Sequence, residues 1–315
     1  MSVGAAKLTP GFSLVIPAWN DQARVDRTLN RYVPAFEASQ KDFEIVVVAD
    51  GCIDGTRAVV KKMADRGVRL LEFPHRLGKG AAIYEGFDVA QHERLGFADA
   101  DGPVSAKDIL RVVGALDHSE CAIASRRIEG ASLRVPRPLV RDALSRGWNL
   151  LVRGMLFLPF HDTQCGVKFL RRSAYLQVRE QAKEFRDWAF DVGLLVLLYR
   201  AHRSITEVPV SWSEEEGSRF NVVRDAPRML RSLIDIRLMS TQVRSSPPSA
   251  AGPYIDLLYG VPYREGLSSP TSAPTMMLPP SRPWGNSLTP SLSAQPKWNQ
   301  ENLADPPLNQ RHEPD

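Results

Sequence analysis

The sequence predicts an α/β fold with a mostly parallel central sheet flanked by helices. Three observations predict it. Strand and helix signals alternate one for one from about residue 12 to residue 125. The strand segments are short, nearly continuous apolar runs, as strands buried on both faces are. Each is followed by a polar or Gly-rich cluster, and ligands of parallel sheets bind outside the carboxyl ends of the strands.

The elements justify this in turn. Phe12-Ser-Leu-Val-Ile16 is an apolar run closed by Pro17, and a polar helical stretch follows from about Asp21 to Glu37. Phe43-Glu-Ile-Val-Val-Val-Ala49 is rich in β-branched residues and reads as a buried strand, followed by Asp50-Gly-Cys-Ile-Asp-Gly-Thr56 and a helix to about Arg66. Next come strand Val68–Phe73, a loop to Gly80, helix Ala81–His92, strand Leu95–Ala98, helix Ser105–Leu116 and strand Cys121–Ser125. Beyond Arg126 an Arg-rich loop leads into an apolar helix over Leu139–Leu158. A short strand near Cys165–Leu170, helices at Ser173–Glu184 and Trp188–His202, a strand Ile205–Trp212 and a last helix Asp225–Met239 complete the pattern.

Composition bounds the function. The 315 residues are 43% hydrophobic and 24% charged, with mean hydropathy −0.23, which describes an ordinary soluble globular chain. Of 24 prolines, 14 lie from Ser245 onward. The predicted organisation is therefore one folded domain over 1–244 and a proline-rich, disordered tail over 245–315, whose partner the sequence leaves unknown. The net charge of +4 divides into +6 on the domain and −2 on the tail, too small an excess to indicate a nucleic-acid partner. Three dispersed cysteines, Cys52, Cys121 and Cys165, predict no disulfide framework and fit the reducing cytoplasmic compartment. The N-terminal segment lacks the apolar core of a signal peptide, and no run reaches about 18 apolar residues, so no membrane-spanning helix is expected.

Five motifs carry chemistry. Asp99-Ala-Asp101 follows the fourth strand, where two carboxylates can turn toward a hard divalent cation that bridges a diphosphate. In the Asp50–Thr56 segment, Asp50 can face a base or ribose at the sheet edge, while Asp54 and Thr56 also read as a turn and helix cap. Gly78-Lys79-Gly80 fits neither a P-loop nor a dinucleotide fingerprint, but places glycines and a lysine at a helix N-terminus suited to phosphate. Between residues 126 and 153 seven arginines, among them Arg126 and Arg141, oppose only Glu129 and Asp142. They read either as a solvated face or as phosphate ligands. The adjoining apolar stretch Trp148–Phe160 reads as core or as a membrane-interface element. Last, Asp162-Thr-Gln-Cys-Gly-Val-Lys168 brackets a glycine turn with an acid and a lysine.

In this order the motifs resemble glycosyltransferase family 2, and within it the dolichyl-phosphate β-glucosyltransferase and polyprenyl-phosphate sugar synthase branch. The matching stretches also include Arg76-Leu-Gly-Lys-Gly80, Ala124-Ser-Arg126, Trp188-Ala-Phe-Asp191, Glu207-Val-Pro-Val-Ser-Trp212 and Gly217-Ser218. The resemblance implies a GT-A fold, a nucleotide-sugar donor, most simply UDP-glucose, inversion at the anomeric carbon, and a polyprenyl phosphate acceptor. It also implies that Pro17, Trp19, Asn20 and Asp50 line the nucleoside pocket with Lys79 and Gly80 nearby. Asp99 and Asp101 would hold the diphosphate through Mg²⁺ or Mn²⁺, and Arg126, Arg141, Asp162 and Lys168 would act around the acceptor phosphate and leaving group. The chain departs from the family pattern at Ala49, where a second acid is usual, and at Trp19, Cys52 and Arg219, where Tyr, Ser and Lys are. A transferase of this kind would sit peripherally on the cytoplasmic membrane face. Two alternatives stay open: a same-fold transferase acting on a diffusible hydroxyl acceptor, for which Asp162 or Asp191 would be the base, and a non-catalytic nucleotide-binding scaffold.

Overall fold

The computed structural model describes residues 9–133, 139–186, 189–213 and 222–240. The tail, Trp188, Arg134, Arg137 and the Gly217–Arg219 stretch lie outside them, as does the Arg141 side chain. The elements run β1 (Thr9–Ala18), α1 (Gln22–Ala38), β2 (Phe43–Asp50), α2 (Thr56–Lys61), β3 (Val68–Phe73), α3 (Lys79–Val89), β4 (His92–Phe97), α4 (Ala106–Ala115) and β5 (Cys121–Ser125). They continue as β6 (Ser132–Leu133), α5 (Leu139–Leu156), β7 (Lys168–Arg171), α6 (Arg172–Ala182), α7 (Phe190–Arg200), β8 (Ile205–Pro209), β9 (Ser211–Trp212) and α8 (Val222–Ser240).

Seven strands form one sheet in the order β3-β2-β1-β4-β7-β5-β8. Side chains alternate between its two faces with the strand period of two, and both faces are covered. Leu14, Ile16, Ile45 and Val47 pack on one face with Leu29, Val33 and Phe36 of α1 and Ile109 and Val112 of α4. Val15, Val46, Val48, Leu95 and Phe97 pack on the other with α3, α5, α6, α7 and α8. Burying each such side chain contributes roughly 1.5–3 kcal/mol. The apolar, β-branched composition of β1 and β2 thus follows from having no wet face.

The sheet is parallel except for β7, which runs antiparallel between β4 and β5. A reversed strand puts its amino end where its neighbours put their carboxyl ends. The Asp162–Lys168 segment therefore reaches the same edge as the loops after Ala18, Asp50, Phe97 and Ser125. Other boundaries also differ from the sequence reading. The second helix stops at Lys61, and a separate 3-10 turn over Ala64–Arg66 is closed by Gly67 at φ 76°, a left-handed conformation suited to glycine. The strand expected over Ile205–Trp212 divides after Pro209, which has no N–H for a ladder. Ser211–Trp212 then pairs in parallel with Ser132–Leu133 in a separate two-stranded ribbon.

Candidate active site

The loop after β4 is held from below by α1. Thr28 Oγ1 donates to the Ala100 carbonyl (2.9 Å), an Arg31 guanidinium nitrogen to the carbonyls of Asp101 (3.0 Å) and Gly102 (3.2 Å), and Tyr32 Oη to that of Val104 (2.7 Å). Gly102 closes the turn at φ 58°. With its carbonyls thus tied, the loop presents both carboxylates at the sheet edge. Asp99 Oδ1 meets Lys79 Nζ at 2.5 Å. Burial alone would lower the Lys79 ammonium, but Asp99 holds its pKa above the ordinary range. Asp101 Oδ1 is buried and accepts no hydrogen bond. Burial first, then the Asp99 charge, raises the Asp101 carboxyl to about 6.

These observations test the fit of a divalent cation. A buried, unpartnered carboxylate oxygen beside a second carboxylate is a hard-oxygen donor set, as Mg²⁺ and Mn²⁺ prefer. Among the described residues no group of three or more His, Cys, Asp or Glu gathers as a complete ligand set. The pair therefore fits a cation that draws its other oxygens from a bound diphosphate and water.

The loops after β1 and β2 interlock. Asn20, at φ 49°, accepts the Ile53 N–H on Oδ1 (2.8 Å) and donates its own N–H to Cys52 Sγ (3.3 Å), while Cys52 donates to the Ala18 carbonyl (3.2 Å). Trp19 stacks beneath Arg76, whose guanidinium carbon lies 3.8 Å from the ring centroid. Pro17 is half-buried at the end of β1. Asp50 is buried, and its carboxylate accepts the N–H groups of Leu77 (2.5 Å) and Gly78 (3.1 Å). Asp54 accepts from Thr56 and Gln22, which is the turn reading of that pair, while Gly55 occupies the cap position of α2. At the start of α3 the N–H groups of Gly80 and Ala81 are taken by the Arg186 carbonyl (2.9 and 3.4 Å). A Cβ on Gly80 would come within 2.5 Å of Phe190 Cβ, so this glycine permits close packing, and the helix start is closed by protein rather than open to phosphate.

Across the site, Arg126 grips Asp162. Its Nε reaches Oδ2 at 2.7 Å, an Nη reaches Oδ1 at 2.9 Å, and its backbone N–H adds a third bond to Oδ2 at 3.0 Å. Asp162 is 1% exposed. Burial alone would raise its carboxyl, but Arg126 keeps it below the usual carboxylate range. Arg126 also lies over the Trp212 ring at 4.7 Å. Lys168, 2% exposed, donates to Asp191 Oδ2 (2.8 Å) and the Cys165 carbonyl (2.9 Å). The site therefore gathers Asp99, Asp101 and Lys79 at one point and Arg126–Asp162 at another, with Lys168 inside the wall. Arg141 lies on α5.

Several supporting residues carry no role in the sequence reading. Glu207 of β8 accepts the N–H groups of His161 (2.8 Å) and Asp162 (3.0 Å). Asn149 of α5 donates to the His161 carbonyl (2.7 Å) and accepts from Thr163. Gly166 lies directly against Asp99. The signal for Glu207 was a carboxylate inside a predicted strand, and for Asn149 the lone amide of its helix.

Comparison with known proteins gives the family and the fold. The family model for glycosyl transferase family 2 matches residues 13–179. The dolichyl-phosphate beta-glucosyltransferase of Saccharomyces cerevisiae is 30% identical over 247 residues, covering 72% of this chain and 74% of that protein. The Homo sapiens protein of the same name is 31% identical over 247 residues, with coverage of 73% and 76%. Among solved structures, glucosyl-3-phosphoglycerate synthase from Mycobacterium tuberculosis, crystallised with Mn²⁺, UDP and glucosyl-3-phosphoglycerate, superposes with TM-score 0.54 at 17% identity over 75% of this chain and 82% of that one, a likeness of fold. The fold is GT-A, and the protein is a nucleotide-sugar-dependent glycosyltransferase. The chain belongs to glycosyl transferase family 2.

Proposed function

We propose that this enzyme transfers glucose from UDP-glucose, with inversion, to a polyprenyl phosphate of the dolichyl type. The names of its relatives support the sugar and the acceptor class. One observation carries the choice of a phosphate over a hydroxyl acceptor. Both carboxylates that a hydroxyl acceptor would need as base are held by cations: Asp162 by Arg126 and Asp191 by Lys168. A carboxylate so paired is a poor proton acceptor. A phosphate monoester, with a second pKa near ~6, is already ionised at neutral pH and attacks without a base.

In this reaction an acceptor phosphate oxygen bonds to the anomeric carbon from the face opposite the leaving group. The bond from that carbon to the diphosphate oxygen breaks, UDP leaves with the electron pair, and no proton is transferred. Asp99 and Asp101 would hold Mg²⁺ or Mn²⁺ against the diphosphate, and such an ion supplies electrostatic stabilisation of the leaving group. Lys79 holds Asp99 in place, and Arg126, oriented by Asp162 and by the Glu207 contacts behind it, supplies positive charge toward the acceptor side. Trp19, Asn20 and Asp50 shape the nucleoside end. We assign all of this to residues 1–244. Three buried free cysteines suit the reducing cytoplasmic side of the membrane.

The test is incubation of the purified protein with UDP-glucose, polyprenyl phosphate and Mg²⁺, with chromatography of the lipid phase. A glucosylated lipid phosphate is expected. Glucosylation of a soluble hydroxyl acceptor in its place would overturn the acceptor assignment.

A further inference from the structure

Lys79 is the first residue of α3, and the backbone around it is fixed from two sides. Asp50 holds the N–H groups of Leu77 and Gly78, and the Arg186 carbonyl takes those of Gly80 and Ala81. With those donors spent, the lysine side chain is what this segment can offer a phosphate. Its flexible four-carbon stem carries a compact point charge. The ammonium lies 5.8 Å from the Phe190 ring centroid and 2.5 Å from Asp99 Oδ1. The Lys79 and Asp99 side chains are 24% and 26% exposed, so a ligand can reach the pair. Lys168 differs, being 2% exposed and held by Asp191 and the Cys165 carbonyl.

Both oxygens of Asp99 are engaged. Oδ1 carries the Lys79 ammonium, and Oδ2 lies directly against Gly166. Asp101 adds a buried oxygen without a hydrogen-bond partner. One carboxylate oxygen is a poor site for Mg²⁺ or Mn²⁺, which surround themselves with oxygens. Charge argues the same way. In their charged forms Asp99, Asp101 and Lys79 together carry one net negative charge. A divalent ion added by itself would turn that into one net positive charge in a half-buried cluster, and uncompensated charge withdrawn from water is costly. An ion that arrives with the two phosphate charges of a sugar nucleotide restores one net negative charge.

The geometry points to Lys79 as a tethered cation that competes with the divalent metal for Asp99, so that metal is taken up only together with the diphosphate. The diphosphate oxygens draw the ammonium off Asp99, and Asp99 Oδ1 then serves the metal beside Asp101. Lys79 is in this sense a positioning residue with two anionic partners, one carboxylate and one phosphate, and it makes donor and metal bind as a unit. The inference rests on the reading that Asp99 and Asp101 hold the metal, and it is independent of the acceptor.

The experiment measures two affinities of the full chain separately. One is for Mn²⁺ without nucleotide, from the paramagnetic resonance of the free ion, and the other is for UDP without metal, by calorimetry in EDTA. Lys79→Met is expected to bind Mn²⁺ roughly tenfold tighter and UDP roughly tenfold weaker than the unmutated chain, as removal of one nearby unit charge implies. Lys79→Arg keeps the charge and should restore both affinities toward the unmutated values. The opposite signs are the signature, because a lysine that merely props the loop would weaken both on removal. Adding Asp101→Asn should abolish the gain in Mn²⁺ binding, which assigns the ion to this pair. Unchanged or weaker Mn²⁺ binding by folded Lys79→Met, or unchanged UDP binding, would overturn the proposal. Should that variant fail to fold, Lys79→Gln carries the same expectations. The unmutated chain gives an independent reading: its Mn²⁺ affinity should rise at least about tenfold when UDP is added, beyond what UDP binds in solution, and no rise would overturn the proposal. The sign split without turnover of polyprenyl phosphate would count against the acceptor assignment and leave the role of Lys79 standing. Absence of UDP binding by every form would sink the donor reading and this inference with it.

Discussion

A Cβ on Gly166 would lie 2.1 Å from Asp99 Oδ2, nearer than real side chains approach. The first carboxylate of the Asp99–Asp101 pair is thus seated against bare backbone from the segment that enters β7, and Lys79 closes it from another side at 2.5 Å. Gly166→Ala is expected to push Asp99 aside and lower kcat/KM roughly a hundredfold, the scale on which about 1 Å of misplacement acts. Circular dichroism and the thermal midpoint should change little, because the displaced group is a carboxylate at the site edge and not a core side chain. Steady-state kinetics with UDP-glucose checks this.

Asp101 shows the opposition between function and stability. Its buried, unpartnered Oδ1 and the Asp99 charge beside it make the ionised form costly in the folded protein. Asp101→Asn removes one of two like charges without changing shape. The expected result is loss of transferase activity together with an increase in stability on the order of 1 kcal/mol in urea titration at neutral pH. Retained turnover would refute the metal-holding role.

The Arg126–Asp162 pair is nearly solvent-free. Replacing Asp162 with Ala leaves a buried guanidinium uncompensated and is expected to cost about 3–5 kcal/mol. Arg126→Met with Asp162→Leu together should recover much of that stability while remaining inactive. Denaturant unfolding of Arg126→Met, Asp162→Leu and the double closes the cycle and gives the coupling energy.

A second charged cluster, at the opposite edge of the sheet, sets the pH range of stability. Glu44 accepts from Ser13 (2.6 Å), Arg69 (2.6 Å) and the Gln91 N–H (2.5 Å), and His92 contacts Glu44 at 3.5 Å and Asp42 at 3.3 Å. Burial would raise Glu44, but these partners hold its pKa down at about 2. Burial would lower His92, but Glu44 and Asp42 raise it above its usual 6.5. The Glu44 contribution is therefore complete above about pH 4.5 and lost as pH falls toward 2. That of His92 is complete below its unfolded value and lost as pH rises through its raised one. The thermal midpoint is expected to fall on both sides. Glu44→Gln should remove the Glu44 share of the acid-side dependence, at a cost on the order of 2 kcal/mol near neutrality after allowance for screening.

Much of the fold and part of the site were legible in the sequence. The runs Leu14–Ile16 and Ile45–Val48 declare strands buried on both faces, since only a helix-covered sheet tolerates residues apolar at every position. The clusters after those strands declare the functional edge. Lys168 illustrates the limit: its motif was visible, but only the fold shows its ammonium 2.8 Å from Asp191 inside the wall. Asp50 likewise reads as an open acceptor and proves to hold the Leu77–Gly78 backbone.

What the sequence determined by itself was therefore local and periodic: which segments are strand or helix, where carboxylates and arginines fall relative to strand ends, and the family those motifs spell. What only the tertiary structure decided was direction and partnership. Strand β7, Lys168–Arg171, is only four residues long and reads the same whichever way it runs, and its reversal is set by pairing with β4 and β5, elements roughly 75 and 50 residues earlier in the chain. The same long-range closure brings Arg126 to Asp162, Gly166 to Asp99 and Glu207 to the Asp162 backbone. The identity of a charged side chain fixes what it can bind, but its partner depends on how the intervening chain folds back, which no local spacing encodes.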